Sequence, residues 1–99
     1  MASKIVFSDD AIETLVSTAS FIENKWGEKQ VYKFLDRVDK ILSLAAQNPL
    51  MYKPFMLSNN TRVAWISKQT SVIYRIQEDG IIILFFWDNR QDSIFTGLT

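Results

Sequence analysis

The sequence predicts an α+β domain with the element order β-α-α-β-β-β, in which a helical hairpin packs on one face of an antiparallel sheet. Two observations lead to this fold class. Apolar residues recur at helical spacing in the first half of the chain, whereas in the second half they occur in short segments with the spacing of strands. Because the chain has 99 residues, we expect one domain spanning residues 1–99.

The first half of the chain predicts one short strand and two helices. Lys4–Phe7 is β-branched and aromatic, and helix-capping residues follow it, with Asp10 and Glu13 fitting a capping box. The first helix then extends to Gly27 and the second to Asn48-Pro49, each with one apolar face. So short a link between the two helices predicts an antiparallel hairpin.

The second half predicts a loop followed by a three-stranded meander. Residues 50–60 contain Pro54 and a Ser-Asn-Asn cluster, so we interpret them as a loop. Strands are predicted at residues 61–67, 71–77 and 81–87, with short polar turns between them. The last strand is apolar at both parities, which predicts a central position with both faces covered.

The composition excludes several kinds of chemistry. Without cysteine or histidine the chain has no disulfides, no thiol or imidazole catalysis and no common zinc site, and we expect neither a cofactor nor a metal. Eleven basic and eleven acidic residues cancel, which removes the overall basic field of a protein that depends on phosphate contacts. The N-terminal residues Met1-Ala2-Ser3-Lys4 lack the apolar stretch of a signal peptide, and no apolar run reaches membrane-spanning length, so we expect a cytoplasmic protein without membrane contact.

Four segments along nearly the whole chain carry a family resemblance. They are Trp-Gly at 26–27, Ala-Gln-Asn-Pro-Leu-Met-Tyr at 46–52, Ser-Val-Ile-Tyr-Arg-Ile at 71–76 and Asp-Asn-Arg-Gln-Asp at 88–92. Their order and spacing resemble the RelE/ParE superfamily, toxins of bacterial type II toxin–antitoxin systems that include plasmid stabilisation proteins. The resemblance implies a growth-inhibiting toxin in a hetero-oligomer with a cognate antitoxin, which neutralises it by wrapping a flexible segment over its surface.

The resemblance leaves the cellular target open. ParE-like members inhibit DNA gyrase without catalysis, whereas RelE-like members cleave messenger RNA on the ribosome without a metal. Zero net charge, the lack of histidine, and Phe95 where a catalytic tyrosine or imidazole is expected all favour gyrase. A ribosome-dependent mRNA endoribonuclease is the alternative, and a degenerate relative acting only as an interaction module is a third possibility.

Five residues are candidates for catalysis or target contact, because metal-free RNA cleavage needs cations and groups that transfer protons. They are Lys53, Arg62, Tyr74, Arg75 and Arg90. Arg90 is the preferred candidate because its turn resembles the one that follows the last strand in the family. Its structural alternative is an ion pair with Asp88 or Asp92 that holds this turn.

The other candidates also have structural alternatives. Val63 and Trp65 are the expected buried set of their strand, so Arg62 is interpreted as an exposed arginine on the opposite face. Arg75 is expected on the face opposite Tyr74. Tyr74 itself fits a core tyrosine with a tethered hydroxyl better than it fits an acid.

The second helix also carries a basic stripe. The stripe comprises Lys29, Lys33, Arg37 and Lys40 and is interrupted by Asp36 and Asp39. We interpret it as a solvated face in which Asp36 pairs with Lys40. The tryptophans Trp26, Trp65 and Trp87 are expected to pack in the core rather than to stack on nucleic-acid bases.

Overall fold

The computed structural model describes residues 3–91 and contains two helices and a five-stranded sheet. In chain order the elements are β1 (Lys4–Phe7), α1 (Asp9–Trp26), α2 (Glu28–Gln47), a 3-10 turn (Pro49–Met51), β2 (Lys53–Phe55), β3 (Ser58–Ser67), β4 (Thr70–Gln77) and β5 (Gly80–Asp88). The predicted α+β class and helical hairpin are confirmed. Neither helix is long and apolar enough to cross a membrane.

The strand order in the sheet is β1-β5-β4-β3-β2. β2 to β5 pair antiparallel through short connections, whereas β1 pairs with β5 in the parallel direction, so the sheet is mixed rather than wholly antiparallel. No tight turn joins β1 to its neighbour, and the direction of β1 is therefore set by the helical hairpin that separates it from the meander. Gly80 lies where β1 approaches β5, and a Cβ there would overlap the Lys4 carbonyl.

The start of α1 is fixed by Ser8 and not by Asp10. The Ser8 hydroxyl accepts a hydrogen bond of 3.0 Å from the Ala11 N–H and donates one of 2.7 Å to the Leu84 carbonyl. It therefore caps the helix and attaches it to β5. The predicted capping box of Asp10 and Glu13 is wrong, because Asp10 already lies in the first helical turn, where its charge favours the helix dipole.

A single residue, Gly27, joins α1 to α2. Its φ of 94° lies in a region that favours glycine, and its N–H donates a 2.9 Å hydrogen bond to the Glu23 carbonyl at the end of α1. α2 ends at Gln47, just before Asn48-Pro49, as predicted.

Part of the segment predicted as a loop, residues 50–60, forms β2 and the beginning of β3. Lys53 pairs with Val63 and Pro54 pairs with Arg62, so the prediction of a loop was wrong there. Proline is tolerated in β2 because an edge strand leaves one side of its backbone without a sheet partner. Lys53 thus lies in a strand.

The core lies between the helices and one face of the sheet, here called the helix-covered face. Its fully buried side chains include Val72, Tyr74, Ile81 and Ile83. The opposite face is called the second face. β5, predicted to be central, has a strand on each side, but Ile82 on its second face is partly exposed and β4 is the middle strand.

The two faces of β3 differ from the prediction. Arg62, Ala64 and Ile66 lie on the helix-covered face and are buried, while Trp65 on the second face is 54% exposed. Val63 is buried as expected, but on the second face, so the prediction was wrong for Trp65 and for the face of β3 that packs against the helices. Apolar residues occupy both parities of this strand, and alternation alone therefore does not identify the inward face.

Candidate functional site

The five candidate residues lie in three different parts of the fold. Arg62 and Tyr74 are on the helix-covered face, Lys53 and Arg75 are on the second face, and Arg90 follows β5. Within residues 3–91, no group of three or more carboxylates lies close enough together to hold a metal ion.

Arg62 is buried, with only 8% of its surface exposed, and its guanidinium holds two chain segments together. Its Nε donates to the Asn59 carbonyl and its Nη1 donates to the Tyr52 carbonyl, each at 3.0 Å. These bonds connect the start of β3 to the residue before β2. The prediction of an exposed strand arginine was wrong, because its side of β3 faces the helices.

Tyr74 is fully buried beside Arg62. Its hydroxyl donates a 2.7 Å hydrogen bond to the Pro49 carbonyl, and its ring packs edge-on against Tyr52 with the ring centroids 6.4 Å apart. Burial raises the pKa of Tyr74 to about 12, against the opposing effect of the Arg62 charge. This is the tethered core tyrosine that the sequence predicted.

Lys53 and Arg75 are exposed cations of the second face. Arg75 lies on the side of the sheet opposite Tyr74, as predicted, and pairs with Thr61 in the neighbouring strand. Lys53 pairs with Val63, which places it two strands from Arg75. Strand geometry puts their Cα atoms roughly 12 Å apart. Neither side chain has an ion pair among residues 3–91.

Arg90 pairs with Asp88, one of its two predicted partners. Arg90 Nε and Nη2 contact the two Asp88 carboxylate oxygens at 3.0 and 2.7 Å, and the Arg90 backbone N–H donates to the same carboxylate at 2.9 Å. The side-chain hydrogen bonds lower the pKa of Asp88 and raise that of Arg90. The other predicted partner, Asp92, lies outside the described residues, as does Phe95.

Arg90 also contacts α1, at the side of a groove. The guanidinium carbon of Arg90 lies 4.4 Å from the centroid of the Phe21 ring, a cation–π contact that joins the turn after β5 to the helix. The groove has a volume of about 790 Å³ and lies between α1, the first half of α2 and the end of the sheet where β3 turns into β4. Its lining includes Phe21, Trp26, Lys33, Arg37, Trp87 and Arg90.

The basic stripe of α2 is divided between solvent and this groove. Lys40 pairs with Asp36 at 3.7 Å, as predicted. Lys33 and Arg37, one helical turn apart, instead line the groove and form no ion pair within residues 3–91. Both residues are exposed, so the interpretation as a solvated face is confirmed for them, but they also line the groove. Their four-residue spacing was a signal for a shared site, but the groove exists only once α2 packs beside the sheet.

Two aromatic residues of α1 are exposed at the groove. Phe21 is 40% exposed and Trp26 is 46% exposed, and their rings meet edge-on with centroids 6.0 Å apart. The Lys25 ammonium lies 5.2 Å from the centroid of the Trp26 ring and 5.7 Å from that of Phe21. The prediction that Trp26 packs in the core was wrong, because the last turn of α1 faces the groove.

Known proteins that this chain resembles in sequence or structure include toxins and toxin–antitoxin complexes. A family model described as the ParE toxin of the type II toxin–antitoxin system parDE matches residues 5–93. No curated protein matches the chain in sequence. Nineteen solved chains are similar in structure. The three given next share only 10–15% of their residues with this chain, so their likeness shows the fold alone.

Three of these solved structures have TM-scores between 0.59 and 0.70. The chromosomal ParDE toxin–antitoxin system from P. aeruginosa has a TM-score of 0.70 at 12% identity, covering 87% of this chain and 95% of that chain. The E. coli DinJ-YafQ toxin–antitoxin complex has a TM-score of 0.62 at 10% identity, covering 91% and 96%. The YoeB dimer from Staphylococcus aureus has a TM-score of 0.59 at 15% identity, covering 86% and 94%.

Proposed function

The chain belongs to the ParE toxin family of type II toxin–antitoxin systems, and we propose that it inhibits DNA gyrase by binding, without catalysing a reaction of its own. Its role as the toxin of such a system follows from the family, which confirms the resemblance seen in the sequence. The choice of gyrase over the ribosome rests on the chemistry of the candidate residues.

The observation that carries this proposal is the state of Tyr74. Metal-free RNA cleavage needs a group that takes or gives a proton near neutral pH, and the tyrosine is the candidate side chain that would do so most readily. Its hydroxyl is fully buried and bonded to the Pro49 carbonyl, and its pKa is about 12. To transfer a proton to substrate, Tyr74 would have to break that bond and leave the core.

The positions of the candidate cations support the same conclusion. The Arg62 guanidinium already donates hydrogen bonds to two backbone carbonyls, and the Arg90 guanidinium already donates hydrogen bonds to the Asp88 carboxylate. Tyr74 pairs with Ile83, while Arg90 lies beyond the end of β5, so the two are separated by roughly 15 Å or more along the strand. A phosphorane needs its cation and its proton-transfer groups within hydrogen-bond reach of the same phosphate.

We propose further that a cognate antitoxin neutralises this chain within a cytoplasmic hetero-oligomer. Similar structures are described as the DinJ-YafQ toxin–antitoxin complex and the YoeB-YefM complex, and this family resemblance supports such a partner. Several large apolar side chains are exposed, among them Val16, Leu50, Met51 and Leu57, and the binding of a second chain would remove such side chains from water.

A ribosome-dependent mRNA endoribonuclease is the second candidate function. The observation that favours it is the pair of exposed cations on the second face, Lys53 and Arg75, which have no ion pair within residues 3–91. Exposed cations of this kind suit contact with phosphates. A nuclease of this type would require a proton-transfer group that the five candidates do not supply.

Two parallel assays separate the candidates. Purified chain is added to gyrase supercoiling reactions and to translating ribosomes whose messenger RNA is mapped for new 5′ ends. We expect supercoiling to be inhibited, the inhibition to be reversed by the antitoxin from the adjoining reading frame, and the messenger RNA to remain intact. Codon-linked cleavage with unaffected supercoiling would contradict the proposal. Cleavage that is then lost in Arg75→Ala, a variant of an exposed residue, would place the nuclease site on the second face.

A further inference from the structure

We propose that the tip of the β2–β3 hairpin, formed by Met56 and Leu57, contacts DNA gyrase by inserting into an apolar concavity of that protein. The identity of the partner rests on the proposed function, whereas the chemistry of the contact is inferred from the hairpin tip itself. Three features support it: two exposed apolar side chains, a backbone conformation that favours glycine, and a surrounding segment that contains a single charged residue.

The hairpin tip projects from the sheet and is apolar. Phe55 pairs with Ser58, so Met56 and Leu57 alone connect β2 to β3. Met56 is 63% exposed and Leu57 is 103% exposed, which means that the Leu57 side chain makes almost no contact with the rest of the chain. Two-residue hairpin turns usually contain glycine, asparagine or aspartate. The two apolar side chains therefore contribute little to the turn or to the core.

The backbone of Met56 is in a conformation that most residues avoid. Its φ is 56°, and among residues 3–91 no other residue except glycine has a positive φ. A Cβ crowds the following carbonyl oxygen in this region, whereas glycine adopts it without that penalty. Asn59 and Asn60, whose residue type tolerates the region better, lie just beyond the turn. A strained and exposed methionine at this position indicates a role outside the stability of the chain itself.

The composition around the hairpin tip favours a protein partner over a nucleic acid. Lys53 is the only charged residue between residues 41 and 61. Nucleic-acid binding depends on neutralising several phosphates, which one lysine does not provide. The cores of protein–protein interfaces are instead poor in charged residues and rich in methionine and aromatic residues. Methionine, with its flexible and polarisable side chain, also adapts to apolar pockets of irregular shape.

The shape of the hairpin favours a partner with a concave surface. Phe55 holds the base of the hairpin tip against Phe85, with the ring centroids 6.5 Å apart. Pro54 has no N–H to offer a further strand, which disfavours extension of the sheet at this edge and leaves side chains to make the contact. In a two-fold dimer the same patch would face itself, and one projecting tip does not provide a cavity for another.

Gyrase is the occupant because inhibition by binding requires a contact between two proteins. Arg62 and Arg90, two of the candidate residues for target contact, already donate their hydrogen bonds within the chain. The side chains of Met56 and Leu57 have no such engagement and become buried only in a complex. Large apolar side chains that insert into a pocket of a partner commonly contribute most of the binding free energy.

The test measures inhibition of gyrase supercoiling by the full chain, by Met56→Gly/Leu57→Ser and by the control Ile12→Ala/Tyr32→Ala. The control residues are 51% and 62% exposed and lie on the helices, away from the hairpin tip. We expect the concentration for half-inhibition to rise by about tenfold or more in the tip variant and to stay within about threefold in the control. Leu57→Met, which keeps the side chain apolar, should also stay within about threefold.

Thermal melting separates a contact from a structural role. Glycine relieves the strain at residue 56, so Met56→Gly should melt at the same temperature as the unmodified chain or higher, and yet inhibit gyrase less. If the double variant melts lower, the single variant Met56→Gly decides the question. A tip variant that is as stable as the unmodified chain and inhibits equally well would overturn this inference.

The remaining outcomes distinguish this inference from the proposed function. If the unmodified chain does not inhibit supercoiling, both fail. If it does inhibit, equal losses in the tip and control variants would overturn the hairpin contact alone. Loss of antitoxin binding in the tip variant with gyrase inhibition intact would assign the tip to the antitoxin and overturn it as well. The same holds if sedimentation shows polymers of the chain that only the tip variant abolishes, with inhibition unchanged.

Discussion

Replacing Arg62 with alanine is expected to destabilise the fold, because this arginine is a buried connector. The change removes two charge-assisted hydrogen bonds, to the carbonyls of Asn59 and Tyr52, each 3.0 Å long. It also removes the aliphatic part of a side chain that is only 8% exposed. A structural role and a target-contact role therefore predict different results for the same variant.

The magnitude can be estimated from these contacts. Hydrogen bonds from charged groups contribute about 1.5–3 kcal/mol each, but water can reach part of this site because Asn59 is exposed and Tyr52 is half-buried. A combined loss of about 2–4 kcal/mol is therefore expected for Arg62→Ala. For a domain of this size, 1 kcal/mol corresponds to about 4–8 °C, so the melting temperature should fall by roughly 10–30 °C.

Urea unfolding and thermal melting test this estimate, with Arg75→Ala as the matched control in the neighbouring strand. Because Arg75 is exposed on the second face and has no ion pair among residues 3–91, its removal should change the free energy of unfolding by about 0.5 kcal/mol or less. Arg62→Lys should be intermediate, since a single ammonium cannot match the guanidinium fork. If Arg62→Ala melts like Arg75→Ala and yet loses toxicity, the structural reasoning is wrong and Arg62 belongs to the functional site.

Three further predictions follow from the geometry. Burial raises the pKa of Tyr74 from 10.0 to about 12, so the stability that its neutral hydroxyl contributes is present below pH 10 and lost between pH 10 and 12. Over that pH range, the urea midpoint of Tyr74→Phe should therefore fall less steeply than the midpoint of the unmodified chain. Arg90→Ala should lower toxicity on expression more than Lys40→Ala does, at equal soluble yield, and equal toxicity would remove Arg90 from the site. Gly80→Ala should lower the free energy of unfolding by about 1–3 kcal/mol in urea, because its Cβ would overlap the Lys4 carbonyl, and an unchanged midpoint would show that β1 can shift.

Much of the fold was predictable because helical periodicity and turn residues are local properties. Both helices end where the sequence indicates, one at Gly27 and the other before Asn48-Pro49. The N-cap was harder, since Ser8, Asp9 and Asp10 are all good capping residues. Ser8 is selected because its hydroxyl also bonds to a carbonyl of β5, a contact between residues 76 positions apart.

The errors concern properties that arise only when elements assemble. β2 contains Pro54, and whether a proline is compatible with a strand depends on the strand being at the edge of the sheet. The register between β4 and β5 is irregular, and the Phe86 N–H donates a 2.9 Å hydrogen bond to the hydroxyl of Thr14 on α1. No periodicity in either segment indicates such a bond.

The burial of Arg62, in the candidate site, is also a property that arises only when strands and helices assemble. Its strand has apolar residues at both parities, and β4 and the helices determine which parity faces inward. The groove was missed for a related reason. Lys33 and Arg37 are close in sequence to each other but line one groove with Arg90 and Phe21 only through tertiary packing.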